Sequence, residues 1–347
     1  MALLTEAELL TAAREDFGTY MAVMHRTEMA EHADGQAVPF AHHREMIKAL
    51  RQPGDLVIVA PRDSAKTTIA QGWMEWWLGR ESMSDDKDWA KWATMMYGSH
   101  DAEAASQVSV SVRDTIASDI YRTIFPKVRP YEKKWGESVW RVEGNQGQKN
   151  PTCEAFGISS PPLGRRVKQL MLDDPADQEN MASEKERDRV LRTLNRTLMP
   201  MVLPKIGRTV LLGTRCAWND PIDWAMRRGW RTLIMRALIE GEDGELKSYW
   251  PERYPLEMLL QMRETDPAGF AQQYQNEVTP EEGLAFERWW FQRRFDLLPS
   301  DIAFRFESWD LASSRGRKRS FSVGLAFVVC RSCPLCQGAP WHIFLPH

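Results

Sequence analysis

The chain has 347 residues, 43% of them apolar and 27% charged, and a net charge of −3. That is enough to bury a full core in more than one domain, and it excludes a globally basic nucleic-acid binder, so any nucleic-acid contact must come from local patches. No apolar run approaches the ~20 residues of a membrane span and the N-terminus carries no signal-peptide pattern, which points to an intracellular protein. The five cysteines, Cys153, Cys216, Cys330, Cys333 and Cys336, do not form a disulfide framework.

In chain order, Thr5-Glu-Ala-Glu8 is a capping box, and Leu9, Leu10, Phe17, Tyr20, Met21 and Met24 follow at helical spacing, a packing segment. The stretch from Val38 to Leu50 is an aromatic and polar lead into a helix. It has two readings: it holds an adenine, as this position often does in nucleotide motors, or it is a docking helix whose histidines, His42 and His43, are solvated.

Leu56 to Ala60 is a short unbroken apolar run of the kind a strand buried on both faces shows, and Ile69 to Leu78 switches to helix-compatible spacing. Between them, Ala60-x4-Ala65-Lys66-Thr67 has the outline of a phosphate-binding loop. Backbone N–H groups wrap the phosphates, the lysine reaches the β- and γ-phosphates, and the Thr67 hydroxyl faces Mg²⁺. Both glycines of the usual pattern are alanines here. A basic helix N-terminus is the alternative, but a strand before and a helix after give the geometry that anion binding at a helix dipole needs.

Trp73, Trp76 and Trp77 read as core on that helix. Trp92 to Gly98 reads as a second strand, and Ser99 to Ala105 as the cap and start of the next helix. Gln169-Leu-Met-Leu-Asp-Asp174 is a buried strand ending in two carboxylates. In a phosphate-loop ATPase one such carboxylate holds Mg²⁺ and the other orients or deprotonates the attacking water; the alternative is an ordinary Asp-Asp-Pro turn. Ser183 to Met199 reads as a charged amphipathic helix and Arg208 to Thr214 as a further buried strand. Its terminal Thr214 is either a cap or a sensor of the γ-phosphate. Strands alternating with helices from 56 to 214 give an α/β doubly wound sheet with its ligand at the carboxyl edge.

Residues 216–298 read as a smaller subdomain and linker, in which Asp266-Pro267 caps and opens a helix through Tyr274 and Arg288-Trp-Trp-Phe291 packs on the core. Phe304 to Asp310, Phe321 to Val329 and Trp341 to Leu345 then read as three strands. Between the first two, Arg315, Arg317, Lys318 and Arg319 place four cations at a turn. That turn is either a solvated hairpin tip or a grip on DNA phosphates that needs no base contacts. Cys330, Cys333 and Cys336 supply three thiolates to Zn²⁺, with His342 as a fourth ligand, or form a plain reduced loop.

Taken together, these motifs resemble the large terminase subunit of tailed bacteriophages. The resemblance rests on Ala60 to Thr68, Ser111-Val-Arg113 with Ile124-Phe-Pro126, Gly164-Arg165 before Leu172-Asp-Asp-Pro175, Leu212 to Asp220, Phe270 to Asn276 and Ser308-Trp-Asp-Leu-Ala312. It implies a P-loop NTPase core over 1–215, the subdomain over 216–298, and the start of a ribonuclease-H-like nuclease fold over 299–347. ATP and Mg²⁺ are then the cofactors. Pro61, Arg62, Asp63, Ser64, Ala65, Lys66, Thr67 and Thr68 line the nucleotide, Thr67 and Asp173 hold Mg²⁺, and Thr214 couples hydrolysis to movement. Arg62 sits where these motors keep an arginine that reaches the γ-phosphate. The residue after the metal Asp is usually Glu and here is Asp174, which leaves Glu179 as a second candidate base. Asp310 is the first nuclease carboxylate, serving Mg²⁺ or Mn²⁺ in a two-metal site. No acidic residue follows it, so the expectation is a fragment, or a form that cannot cut DNA.

The implied partners are double-stranded DNA, a portal protein, a small terminase subunit and further copies in a ring on the procapsid, in the host cytoplasm and without a membrane. Two other readings stay open: a helicase-type ATPase, and a non-enzymatic remnant that only docks to portal or small subunit.

Overall fold

The computed structural model describes residues 5–25, 41–177, 181, 183–241, 244–278, 302–310, 323–330 and 342–344. The chain divides into two units, Met1–Glu281 and Glu282–His347. The first is built on eight strands: β1 (Leu56–Val59), β2 (Met95–Ser99), β3 (Pro130–Trp135), β4 (Val139–Val142), β5 (Cys153–Gly157), β6 (Gln169–Asp173), β7 (Arg208–Gly213) and β8 (Arg231–Ile234). They form one sheet in the order β3-β4-β5-β2-β6-β7-β1-β8. From β5 to β8 every pairing is parallel; β4 alone runs the other way, paired antiparallel with both β5 and β3. This mixed α/β sheet has a P-loop NTPase-like architecture.

Its strands read as apolar runs because both faces are covered. Leu56 and Ile58 of β1 join one core with Tyr97, Met171 and Leu212, under the helices Glu6–Glu15, Phe17–Met24, Ala41–Arg51, Lys66–Ser82 and Ala102–Ala117. Val57 and Val59 point the opposite way, into a second core with Met96, Leu170, Leu172 and Leu211, under the helices Glu184–Thr193 and Pro221–Arg227. Each buried Leu, Ile or Val contributes about 1.5–3 kcal/mol. Trp73 and Trp76 are core residues, with Trp77 packed against them. Gly79 on the same helix lets Phe125 lie flat on its backbone; a Cβ there meets the Phe125 ring at 2.4 Å.

Several boundaries differ from the sequence reading. Trp89–Trp92 is a helical turn and not the start of a strand, because Asp86 caps the Asp88 N–H at 2.8 Å and opens a turn that leaves Trp92 exposed; β2 begins at Met95. The helix from Ser183 keeps its cap but ends at Thr193. It then widens into a π turn, Leu194–Leu198, and tightens into a 3₁₀ turn, Met199–Met201, where Pro200 lacks the N–H that a continuing helix requires. The antiparallel edge formed by β3 and β4, and the strand β8 that extends the sheet past residue 215, carry too weak a period-two pattern to have been read.

Residues 237–274 build a third, smaller core of Leu238, Tyr249, Trp250, Tyr254, Leu259 and Phe270, around a hairpin of β9 (Leu238–Glu240) and β10 (Leu246–Ser248). Asp266 caps the helix Pro267–Gln273 by accepting the Gly269 N–H at 2.9 Å, as Asp-Pro implies. In the second unit, β11 (Ile302–Asp310), β12 (Val323–Cys330) and β13 (His342–Phe344) form an antiparallel sheet, and Asp310 pairs with Val323 at the end of its hairpin. The segment Arg288 to Phe291 lies outside the described residues.

Candidate active site at the carboxyl edge of the sheet

Six parallel strands deliver their carboxyl ends to one edge, and three of those ends carry the candidate site residues. β1 runs into the loop 60–65 and the helix Lys66–Ser82; β6 ends at Asp173, followed by Asp174; β7 ends at Gly213, followed by Thr214. Because β7 lies between β1 and β6, Thr214 sits between the loop and the carboxylate pair.

The loop closes through left-handed backbone at Asp63 and Ala65, both with φ of +61°. Ala65 occupies the position where the usual pattern has glycine, and holding a Cβ there costs about 1–2 kcal/mol. The alanine thus adopts the glycine conformation, and Ala65 caps the helix with no side-chain hydrogen bond, leaving its first N–H groups facing the edge.

Lys66 is buried, and its Nζ lies 3.2 Å from Thr214 Oγ1 and 3.2 Å from Asp174 Oδ2. Thr67 Oγ1 donates to Asp173 Oδ2 at 2.7 Å, and the Tyr97 hydroxyl from β2 donates to the same oxygen at 2.7 Å. Thr214 donates through its hydroxyl to the Ala60 carbonyl at 3.1 Å and through its N–H to Asp174 Oδ1 at 3.0 Å. The result is a closed circuit joining loop, lysine, hydroxyl and both carboxylates. Asp174 itself has a φ of +41°, and its carbonyl accepts the His100 N–H at 3.1 Å, which fixes its backbone against the end of β2.

Burial and the neighbouring Asp174 carboxylate raise the Asp173 pKa to about 6, while Lys66 and the hydrogen bonds from Thr67 and Tyr97 pull it down. Burial, with Asp173 beside it, holds the Tyr97 hydroxyl well above its ordinary range, so it remains a donor. Two buried polar atoms here have no hydrogen-bond partner, Asp173 Oδ1 and Ser64 Oγ. An orphaned carboxylate oxygen beside a threonine hydroxyl at a phosphate loop is the donor set that Mg²⁺ takes when a nucleotide supplies its remaining ligands. Thr67 and Asp173 therefore fit that ion.

Arg62 is exposed, and its N–H donates to the Gln273 carbonyl at 2.9 Å. The histidines His42 and His43 are buried rather than solvated: His42 packs on Tyr249 and Trp250 with ring centroids 5.0 and 4.6 Å away, and His43 packs on Trp250 at 5.1 Å. Glu179 and the cations Arg315, Arg317, Lys318 and Arg319 lie outside the described residues, as do Cys333, Cys336 and the side chains of Asp310, Cys330 and His342.

No protein-family model and no curated protein matches the chain. Several solved structures resemble it, two of them being of one protein. One is the large terminase from the thermophilic bacteriophage D6E in complex with ATP-γ-S, with a TM-score of 0.38 and 7% identity over 81% of this chain and 60% of that one. The other is the same terminase in a second crystal form, with a TM-score of 0.35 and 8% identity over 85% and 64%. The chain thus spans less than two thirds of the length of either.

Several residues at this edge escaped the sequence reading. Tyr97 was hidden as one more aromatic in an apolar strand, though as its only phenol it had to find a buried partner. Asn276 accepts the Arg215 N–H at 3.3 Å and donates to the Met235 carbonyl at 2.8 Å, tying the small subdomain to the residue after Thr214. Arg215 is in turn locked by Asp220 at 3.0 Å and Asp223 at 2.9 Å. Only the order of the motifs, not any local pattern, pointed to these contacts.

Proposed function

We propose that the chain is an ATP-hydrolysing motor subunit that moves double-stranded DNA into a viral procapsid. The observation that carries the ATPase part is the 2.7 Å hydrogen bond from Thr67 to Asp173, with Lys66 alongside on Thr214 and Asp174. It joins, at the carboxyl edge of a parallel sheet, the three motifs that the chemistry requires. The DNA-packaging part rests on the sequence motifs and their order. So do portal, small subunit and a ring of copies as partners, and an endonuclease in which Asp310 is a metal ligand.

Each residue then has a defined task. The helix N-terminus at Lys66 and the loop N–H groups receive the phosphates, and the lysine leaves Asp174 to bind the β- and γ-phosphate oxygens. Thr67 and Asp173 would hold Mg²⁺, which would supply positive charge against those oxygens. Asp174, released from Lys66, faces the site as an acceptor for the proton of the attacking water, with Glu179 as the other candidate. Arg62 supplies further charge to the γ-phosphoryl oxygens, where negative charge spreads in the transition state. Thr214, bonded at once to the loop and to Asp174, passes the state of the phosphates to β7.

The test is ATP turnover by the purified chain, with and without duplex DNA, beside Lys66→Ala. The expected result is DNA-stimulated hydrolysis that the variant loses; unchanged turnover in the variant removes the phosphate-loop assignment. Replacing Arg315, Arg317, Lys318 and Arg319 by Ala tests the DNA grip. Duplex affinity should fall and lose about 0.9 from its log–log salt slope for each phosphate contact removed. Strand separation of a duplex by the wild type favours the helicase reading instead.

A further inference from the structure

Asp63 is the single acidic residue of the loop Pro61–Thr68. A carboxylate there opposes a polyanion, and nothing within the loop offsets it except the cations needed for the phosphates themselves. The small subdomain supplies the offset. Arg253 pairs with Asp63 Oδ2 through both Nε, at 3.0 Å, and Nη2, and the Tyr254 hydroxyl donates to the same oxygen at 2.8 Å. The left-handed backbone of Asp63 allows its side chain to meet these partners.

This arm is built rather than incidental. Arg253 and Tyr254 lie on a turn after β10, where their N–H groups donate to the Trp250 carbonyl at 3.2 and 2.8 Å. The guanidinium stacks over Trp250 and Tyr254, 5.4 and 5.9 Å from the ring centroids. Trp250 is buried against His42 and His43. A planar fork held by aromatic packing loses little freedom on pairing, which suits it to hold one carboxylate in one place.

We propose that Arg253 and Tyr254 are positioning residues for the nucleotide phosphates: they neutralise the Asp63 carboxylate and hold it aside, so that docking of the small subdomain sets the affinity of the loop for ATP. This rests on the ATPase reading above. Arg253 acts through Asp63, and the acid, not the phosphate, is its partner.

The experiment measures ATP binding with Mg²⁺ by calorimetry, and the KM and kcat of hydrolysis, for wild type, Arg253→Gln, Tyr254→Phe, Asp63→Asn and the double variant Asp63→Asn with Arg253→Gln. Arg253→Gln should weaken binding and raise KM about tenfold with kcat within about twofold, Tyr254→Phe should do the same more mildly, and the double variant should recover wild-type affinity. Arg253→Lys, which keeps the charge but not the fork, should fall between. A double variant as weak as Arg253→Gln overturns the proposal, because Arg253 then either contacts the phosphates directly or only supports the fold. A wild type that binds no nucleotide overturns the ATPase reading itself, so the two failures are distinguishable.

Discussion

The Thr67 hydroxyl and Asp173 Oδ2 meet at 2.7 Å although 106 residues separate them, and the second oxygen of that carboxylate is buried without a partner. A helix start and a strand end are thereby joined with one coordination position left over. Asp173→Asn should abolish Mg²⁺-dependent ATP binding, since an amide offers the metal no charge. Thr67→Ala should weaken it about tenfold to a hundredfold, the value of about 1.5–3 kcal/mol for a hydrogen bond to a charged group. ATP titrations with and without Mg²⁺ check both, and equal loss in the absence of the metal would show that the pair only braces the loop.

Asp174 is engaged on both oxygens, Oδ1 by the Thr214 N–H and Oδ2 by Lys66. Its shorter side chain is thus already placed against the residues that the proposed ATPase would move when phosphate binds. Asp174→Asn should retain ATP affinity and lower kcat about a hundredfold or more, the range of a lost general base. Glu179→Gln should leave kcat nearly intact. The reverse pattern in single-turnover assays makes Glu179 the base.

The sheet and its two carboxylates were legible because a strand buried on both faces leaves an unbroken apolar run, and Leu56–Ala60 and Leu170–Leu172 are such runs. Ala65 was the harder case. The sequence lacks the glycine that reports left-handed backbone, yet the residue adopts a φ of +61°. Tertiary contacts around the loop hold a conformation the local residue does not prefer. His42 and His43 read as solvated or adenine-facing because nothing nearby revealed Tyr249 and Trp250, two hundred residues on, as their packing partners. Asp63 with Arg253 was illegible for the same reason: an ion pair formed across such a distance leaves no periodicity.

Those histidines give the protein a dependence on acid. Burial lowers His42 to about 2 and His43 to about 4, with His43 adding to the effect on His42 and the Arg44 cation to that on His43, while the Ser64 backbone partly restores His43. Below pH 6.5 the unfolded chain takes up protons that the folded chain refuses, so stability is complete above that pH and falls as pH drops toward the folded values. The slope is about 1.4 kcal/mol per pH unit for each histidine. Urea unfolding at pH 7 and pH 5 should show His42→Phe losing about 2 kcal/mol less than wild type between the two. Taking that difference cancels the opposite contribution of Asp173, whose raised pKa stabilises the folded state in acid. Parallel losses in both proteins would mean that His42 titrates as freely folded as unfolded.

Thr214 joins the loop, the lysine and Asp174: its hydroxyl donates to Ala60 at 3.1 Å and lies 3.2 Å from Lys66, while its N–H holds Asp174. Thr214→Val keeps the shape and the N–H but removes the hydroxyl, leaving Lys66 with Asp174 alone. The lysine then leans harder on the carboxylate that must be freed, so kcat should fall about tenfold, the worth of one hydrogen bond of about 1.4 kcal/mol, with ATP affinity changed far less. If Thr214 also couples hydrolysis to DNA movement, stimulation by duplex DNA should disappear even where basal turnover survives. Thr214→Ser restores the hydroxyl and should restore both. A valine variant that hydrolyses slowly but keeps its full stimulation ratio assigns the residue to positioning Lys66 and denies it the coupling role.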